Sequence, residues 1–159
     1  MGQNGINLLV AQHQEIRNLL DQVESGPAER RALRFEELRQ LLMVHETAEE
    51  QVLRPVTRRD VPDGDQVAAD REAEEHAADQ ALDELAALDV DSEEFLARFA
   101  SFKADVLVHA ENEEQSEFPA IRDQEADSDL MRLGDEIKAA QDPPTSNPDP
   151  EATAEAARA

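Results

Sequence analysis

The sequence predicts an all-α protein: an up-down-up-down four-helix bundle with a short fifth helix and a disordered C-terminal tail. Three observations predict it. Apolar residues recur in steps of three and four along four long stretches. Turn residues separate those stretches at Ser25-Gly26-Pro27, at Val61-Pro62-Asp63-Gly64 and from Asp89 to Ser92. The only four histidines, His13, His45, His76 and His109, fall one to a stretch, 32, 31 and 33 residues apart. That even spacing suits a chain that passes the same level once per helix.

The first helix is predicted over residues 5–23. Ile6, Leu9, Ile16, Leu20 and Val23 form its stripe, and His13 fills the one vacant slot. The second is predicted over residues 28–54. Its face carries Phe35, Leu38, Leu42, His45, Glu49 and Val52, and Pro55 reads as its end. The third is predicted over residues 65–88. Ala78, Leu82 and Leu85 define its core face; His76 lies beside that face, with Glu72 one turn earlier. Asp91 and Glu94 are spaced as a capping box for the fourth helix, which runs to 115. Phe95, Phe99, Phe102, Val106, His109 and Glu113 line its core face, and Phe118-Pro119 reads as its end. A fifth helix over residues 128–140 carries Leu130, Leu133 and Ile137. Residues 141–159 are rich in Pro, Asp, Ala and Thr, which predicts disorder and makes residues 1–140 the folded domain.

Composition narrows the chemistry. Cysteine is absent, which removes disulfides, iron–sulfur clusters, thiolate metal sites and cysteine nucleophiles. Tyr and Trp are absent too, so the core must be Leu, Val, Ala and the five Phe. The net charge of −23 repels nucleic acid and anionic lipid, so neither is an expected partner. No signal peptide is read at the N-terminus and no apolar run is long enough to span a membrane, so the expected location is cytoplasmic.

His13 lies 8 residues after the predicted start of its helix, His45 lies 10 before Pro55, His76 lies 11 after Asp65, and His109 lies 9 before Phe118. At ~1.5 Å per residue these depths agree to about a turn, so the four imidazoles are expected in one layer. Residues four apart share a helix face, so His45 with Glu49, and His109 with Glu113, both point inward. A carboxylate in a core stripe implies a cation, because burying it unpaired is very costly. Two facing glutamates could each bridge two metals, leaving room for a shared oxo or hydroxo group and a small molecule. Imidazole and carboxylate without thiolate suit iron best, with manganese or zinc less favoured. The Glu-x-x-His pattern of ferritin-type sites is absent: Val10, Leu42, Ala73 and Val106 precede the histidines by three. The zincin pattern fails as well, since Glu49 stands where its second His belongs.

His13, then His45-x-x-x-Glu49-Glu50-x-x-Leu53-x-Pro55, then Glu75-His76, then His109-x-x-x-Glu113-Glu114-x-x-Glu117-Phe118-Pro119 resembles the hemerythrin-like, or HHE cation-binding, domain. The resemblance spans residues 6–140. It implies a non-haem di-iron centre that binds or senses dioxygen, nitric oxide or peroxide, with His13, His45, Glu49, His76, His109 and Glu113 as ligands. Oxygen-carrying members have a second His four before the position matched by His76. Glu72 stands there instead and is the expected seventh ligand, with Glu46 the alternative. Exchanging imidazole for carboxylate favours ferric iron and disfavours reversible oxygen carriage. Glu50 and Glu114 are expected at the surface or, at most, orienting a ligand. The leading expectation is a module that binds or senses a small oxidant. The alternatives are a peroxide- or nitric-oxide-detoxifying enzyme, with catalase- or peroxidase-like turnover, and an iron-responsive or metal-stabilised structural protein.

Overall fold

The computed structural model describes residues 3–142, and among these the chain is all-helical, with no strand. Helix α1 spans Gly5–Ser25, and its start is capped by Asn4, whose side chain accepts from the Ile6 and Asn7 N–H groups. A 3₁₀ turn, Ala28–Arg30, leads into α2, Arg31–Ala48. The chain then widens into a π-helical turn, Glu49–Leu53, and continues as α3, Arg54–Asp60. Helix α4 spans Gly64–Ala86 and α5 spans Glu93–Asn112. A second π-helical turn, Glu113–Glu117, passes into α6, Phe118–Gln124, and α7 spans Asp127–Gln141.

The two prolines expected to end helices do not end them. Pro55 and Pro119 sit in the first turns of α3 and α6. A proline inside an α-helix lacks a donor and collides with the carbonyl four residues back. Here the turn before each proline is widened: the Arg54 N–H bonds the Glu49 carbonyl and the Phe118 N–H bonds the Glu113 carbonyl, five residues back in both cases. Both helical paths therefore continue past the predicted stop. The start of α5 also differs from expectation. Its cap is Ser92, whose hydroxyl accepts from the Phe95 N–H, and not Asp91. The expected disordered tail falls, from residue 143, outside the described residues. Gln141 itself belongs to α7.

Two apolar clusters hold the helices together. One joins Ile16, Leu20 and Val23 of α1 to Phe35, Leu38 and Leu42 of α2, Leu82 and Leu85 of α4, and Phe95, Phe99, Phe102 and Val106 of α5. The other joins Ile6 and Leu9 of α1 to Ala48, Leu53, Phe118, Ile121 and the α7 residues Leu130, Leu133 and Ile137. Along α1, His13 separates Leu9 of one cluster from Ile16 of the other. Along α2, His45 separates Leu42 from Ala48. A polar layer thus lies between two apolar ones. Helix α7 crosses the start of α1 so closely that a Cβ on Gly134 would run into the carbonyl oxygen of Gln3. No helix among the described residues is long and apolar enough to cross a membrane.

Candidate metal centre

Among the described residues ten polar or charged ones are buried, and most lie in this layer: His13, His45, Glu46, Glu49, Arg54, Thr57, Glu75, Glu113 and Glu117. Each reaches it by helix phase. His45 and Glu49 are one turn apart on α2 and the first π-turn, and His45 Nε2 lies 2.9 Å from Glu49 Oε2. His13 Nε2 lies 3.1 Å from Glu113 Oε1 and 3.9 Å from Glu49 Oε2. On the other side, His109 Nε2 lies 3.5 Å from Glu113 Oε2, 3.5 Å from Glu75 Oε2 and 3.7 Å from Glu49 Oε1.

These contacts resolve into two four-donor groups. One is His13, His45, Glu49 and Glu113; the other is Glu49, Glu75, His109 and Glu113. Glu49 and Glu113 belong to both, each turning one oxygen to either side. The donor atoms of the first group, His13 Nε2, His45 Nε2, Glu49 Oε2 and Glu113 Oε1, are buried and have no hydrogen-bond partner. Orphaned buried atoms of this kind are costly unless something satisfies them, and four converging lone pairs are what a cation requires. The residues therefore fit a metal site in which Glu49 and Glu113 serve both donor groups.

The imidazoles are set for that role from behind. The Nδ1 atoms of His45, His13 and His109 lie 2.7, 2.6 and 2.7 Å from Gln12 Oε1, Glu114 Oε2 and Glu74 Oε1. All three partners are acceptors, so each Nδ1 donates and Nε2 is the atom turned inward, free to ligate once it has lost its proton. Gln12 is held by a reciprocal amide pair with Gln141 at the end of α7. Glu114 is held by two bonds from Arg17. The Phe118 ring stacks on His13, with centroids 5.8 Å apart and planes 14° apart.

Arg54 is the unexpected member. Its side chain is wholly buried, and Nη2 lies 2.6 Å from Glu75 Oε2, 2.8 Å from Glu113 Oε2 and 3.3 Å from Glu49 Oε1. Its Nη1 bonds Glu117 Oε2 at 2.8 Å, which also accepts the Thr57 hydroxyl. Burial works against a charged guanidinium, but Glu49, Glu113, Glu75 and Glu117 outweigh it and hold the proton more firmly than usual. Burial raises Glu75 to about 8, with Glu49 adding to the rise and His109 and Arg54 opposing it. Burial opposes ionisation of Glu49 too, but His45, His109 and Arg54 hold it well below the usual carboxylate range. His13 and His109 are both raised, against burial, by the carboxylates around them.

The structure brings together His13, His45, Glu49, His109 and Glu113 and leaves out two expected ligands. His76 is exposed, and its Nε2 reaches only Gln80, at 3.5 Å. Glu72 is turned outward into a two-oxygen pair with Arg58. The reason is phase. One residue along a helix is a rotation of about 100°, so Glu75, not His76, faces the centre from α4. A signal for this was present: Ala68, Glu75 and Leu82 are seven apart and all buried. Glu46 is buried beside the centre but belongs to neither donor group. Burial, then Asp79, Glu75 and Glu49, push it up to about 10. Glu50 is exposed, whereas Glu114 orients His13.

Beside the centre lies a cavity of about 230 Å³. Ile16, Leu42, Phe102 and Val106 line it, His13, His45, Glu75 and His109 contribute its polar end, and Ala77, Ala78 and Ala81 of α4 face Asp105 and Val108 of α5. Ala77, Asp105 and Val108 are exposed, so the cavity reaches the surface between α4 and α5.

Neither a curated protein nor a solved structure matches the chain. The family model for the hemerythrin HHE cation binding domain matches residues 4–121, a span that holds every donor of the two groups. Three imidazoles with fixed tautomers, two shared glutamates and that match agree, and the chain belongs to the hemerythrin HHE cation-binding domain family.

Proposed function

We propose that the chain is a non-haem di-iron protein whose centre binds or senses a small oxidant: dioxygen, nitric oxide or peroxide. The observation that carries the reading is the pair of four-donor groups sharing Glu49 and Glu113. His13 and His45 would hold one ion, Glu75 and His109 the other, and the two shared carboxylates would span both. Iron is favoured by an imidazole and carboxylate set in a chain without cysteine, with manganese or zinc next. Residues 1–140 are the unit we assign to this role. Its arrangement is the up-down-up-down four-helix bundle with α7 as fifth helix, a reading supported by the core that α1, α2, α4 and α5 share.

Iron at this centre would supply electrons and an open coordination place. The chain's own residues do the rest. The cavity opens between α4 and α5 and would admit a small molecule as far as the imidazoles along a mostly apolar wall. Glu46 lines that cavity, and in the metal-free protein burial, with Asp79, Glu75 and Glu49, pushes it up to about 10. One half of the centre has a single imidazole and three carboxylates. That set favours the ferric state, which supports sensing or turnover over reversible carriage. A carboxyl group at the cavity wall, placed where a bound oxidant would need a proton donor, favours a peroxide-reducing enzyme as the second reading.

Metal analysis of protein loaded anaerobically with ferrous iron tests the reading. We expect two iron ions per chain in wild type and in His76→Ala, and loss of iron in His13→Ala, His45→Ala and His109→Ala. A sample that takes one zinc and no iron, or a His76→Ala variant that loses its metal, overturns it. Mixing the reduced protein with peroxide, dioxygen or nitric oxide then separates a single spectral change from catalytic turnover.

A further inference from the structure

The two halves of the centre are not equivalent. In the His13–His45 half all four donor atoms lack a hydrogen-bond partner. In the Glu75–His109 half, three oxygens, Glu49 Oε1, Glu75 Oε2 and Glu113 Oε2, already bond Arg54 Nη2. Resting on the two-position reading above, we propose that Arg54 is a built-in cation for the second position. Metal enters the His13–His45 position first, and the second position fills only as the guanidinium withdraws.

The difference traces to one pair of residues. Arg54 and Phe118 occupy matching places, each donating its backbone N–H to the carbonyl of the shared glutamate five residues earlier. Phe118 is apolar and stacks on His13, so its side chain offers no cation to compete for the first position. Arg54 is charged at any accessible pH and competes directly for the second. A metal arriving there must displace the charge-assisted bonds that the two hydrogens of Nη2 share among three oxygens, and then sit within a few ångströms of a positive charge. The structure also provides somewhere for the guanidinium to go. Nη1 already bonds Glu117 Oε2, and Glu117 Oε1 is buried without a partner. Swinging Nη2 onto Glu117 Oε1 would make a two-bond fork, the preferred geometry of an Arg–carboxylate pair. Glu117 is thus a docking place for the displaced guanidinium, and the Thr57 hydroxyl, bonded to the same carboxylate, steadies it.

The test is a titration of metal-stripped full-length protein with Zn(II), followed by calorimetry and by ¹⁵N NMR of the Arg54 side chain. In wild type we expect one equivalent to bind tightly and the second to bind about tenfold or more weaker. The Arg54 guanidinium signals should move mainly with the second equivalent. Arg54→Gln, checked for folding by circular dichroism, should narrow or erase the gap between the two steps. A wild type that stops at one equivalent while Arg54→Gln takes two supports the proposal as well. Two equivalents bound by wild type with a single affinity overturn it. So do guanidinium signals that shift fully with the first equivalent, and so does a gap that persists in folded Arg54→Gln. The NMR arm needs no variant and decides the matter even where Arg54→Gln fails to fold. Absence of any Zn(II) uptake by wild type sinks the metal-centre reading itself, whereas the other adverse outcomes leave that reading standing.

Discussion

Three residues that never face the metal positions decide which nitrogen of each imidazole does. Gln12, Glu74 and Glu114 each accept from an Nδ1 and so leave Nε2 free to ligate. Outer groups of this kind are commonly worth about 10- to 100-fold in metal affinity. Gln12→Ala and Glu74→Ala should therefore weaken metal binding by about that factor while the fold stays intact, as read by competition with a chelator of known affinity. Unchanged affinity in both variants would show that the imidazoles are oriented by packing alone. At this scale much of the centre is legible in the sequence. His13, His45 and His109 occupy slots in apolar stripes, and Glu49 and Glu113 follow their histidines by one turn, so geometry follows from spacing. Glu75 is misread because the chemical appeal of the neighbouring His76 outweighs the heptad step to Leu82. Arg54 is invisible because a cation next to a proline reads as the exposed end of a helix, and nothing local reveals four carboxylates gathering around it.

Among the elements, the apolar stripes and turn residues place α1, α4, α5 and α7 to within a few residues. The two π-turns are what the pattern cannot show. Periodicity reports which face is buried, not whether one turn holds an extra residue, and proline signals a stop whether the helix ends or widens. The widened turns begin on the shared glutamates, so the distortion and the centre coincide. Helix α7 matters more than its distance from the chemistry suggests. Its Leu130, Leu133 and Ile137 close the second apolar cluster, and its Gln141 holds Gln12 against His45. The close crossing at Gly134 leaves no room for a side chain, and the obstacle is backbone. Gly134→Ala should displace α7 and cost about 1–3 kcal/mol, the usual range for overpacking. A thermal midpoint unchanged from wild type would show that α7 adapts freely.

For the molecule as a whole, the pH response follows from the buried charges. Consider the protein stripped of metal. Glu75 at about 8 and Glu46 at about 10 keep protons that the unfolded chain releases near 4.5, so folded stability falls as pH rises above that value. His13 and His109, raised above 6.5, stabilise fully below that pH and lose the contribution as pH climbs through their folded values. Glu49, depressed, acts oppositely and stabilises only above 4.5. The stripped protein should therefore melt progressively lower between about pH 6 and about pH 8. Metal must displace the same protons, so the gap between loaded and stripped midpoints should widen over that window. Thermal melts of both forms across the range check this, and a stripped protein that gains stability toward pH 8 would falsify the assignment.

The sharing of Glu49 and Glu113 has a topological consequence. Each donor group draws on both halves of the chain: His13, His45 and Glu49 meet Glu113 in one, and Glu75, His109 and Glu113 meet Glu49 in the other. An ion held there would be a cross-link between residues 64 positions apart, stitched twice. Closing a loop of that length removes much of the freedom of the unfolded chain, and the cost grows only slowly with length. In a chain that has no cysteine, the centre is the place where such a tie can be made, and it can be undone by a chelator without breaking a covalent bond.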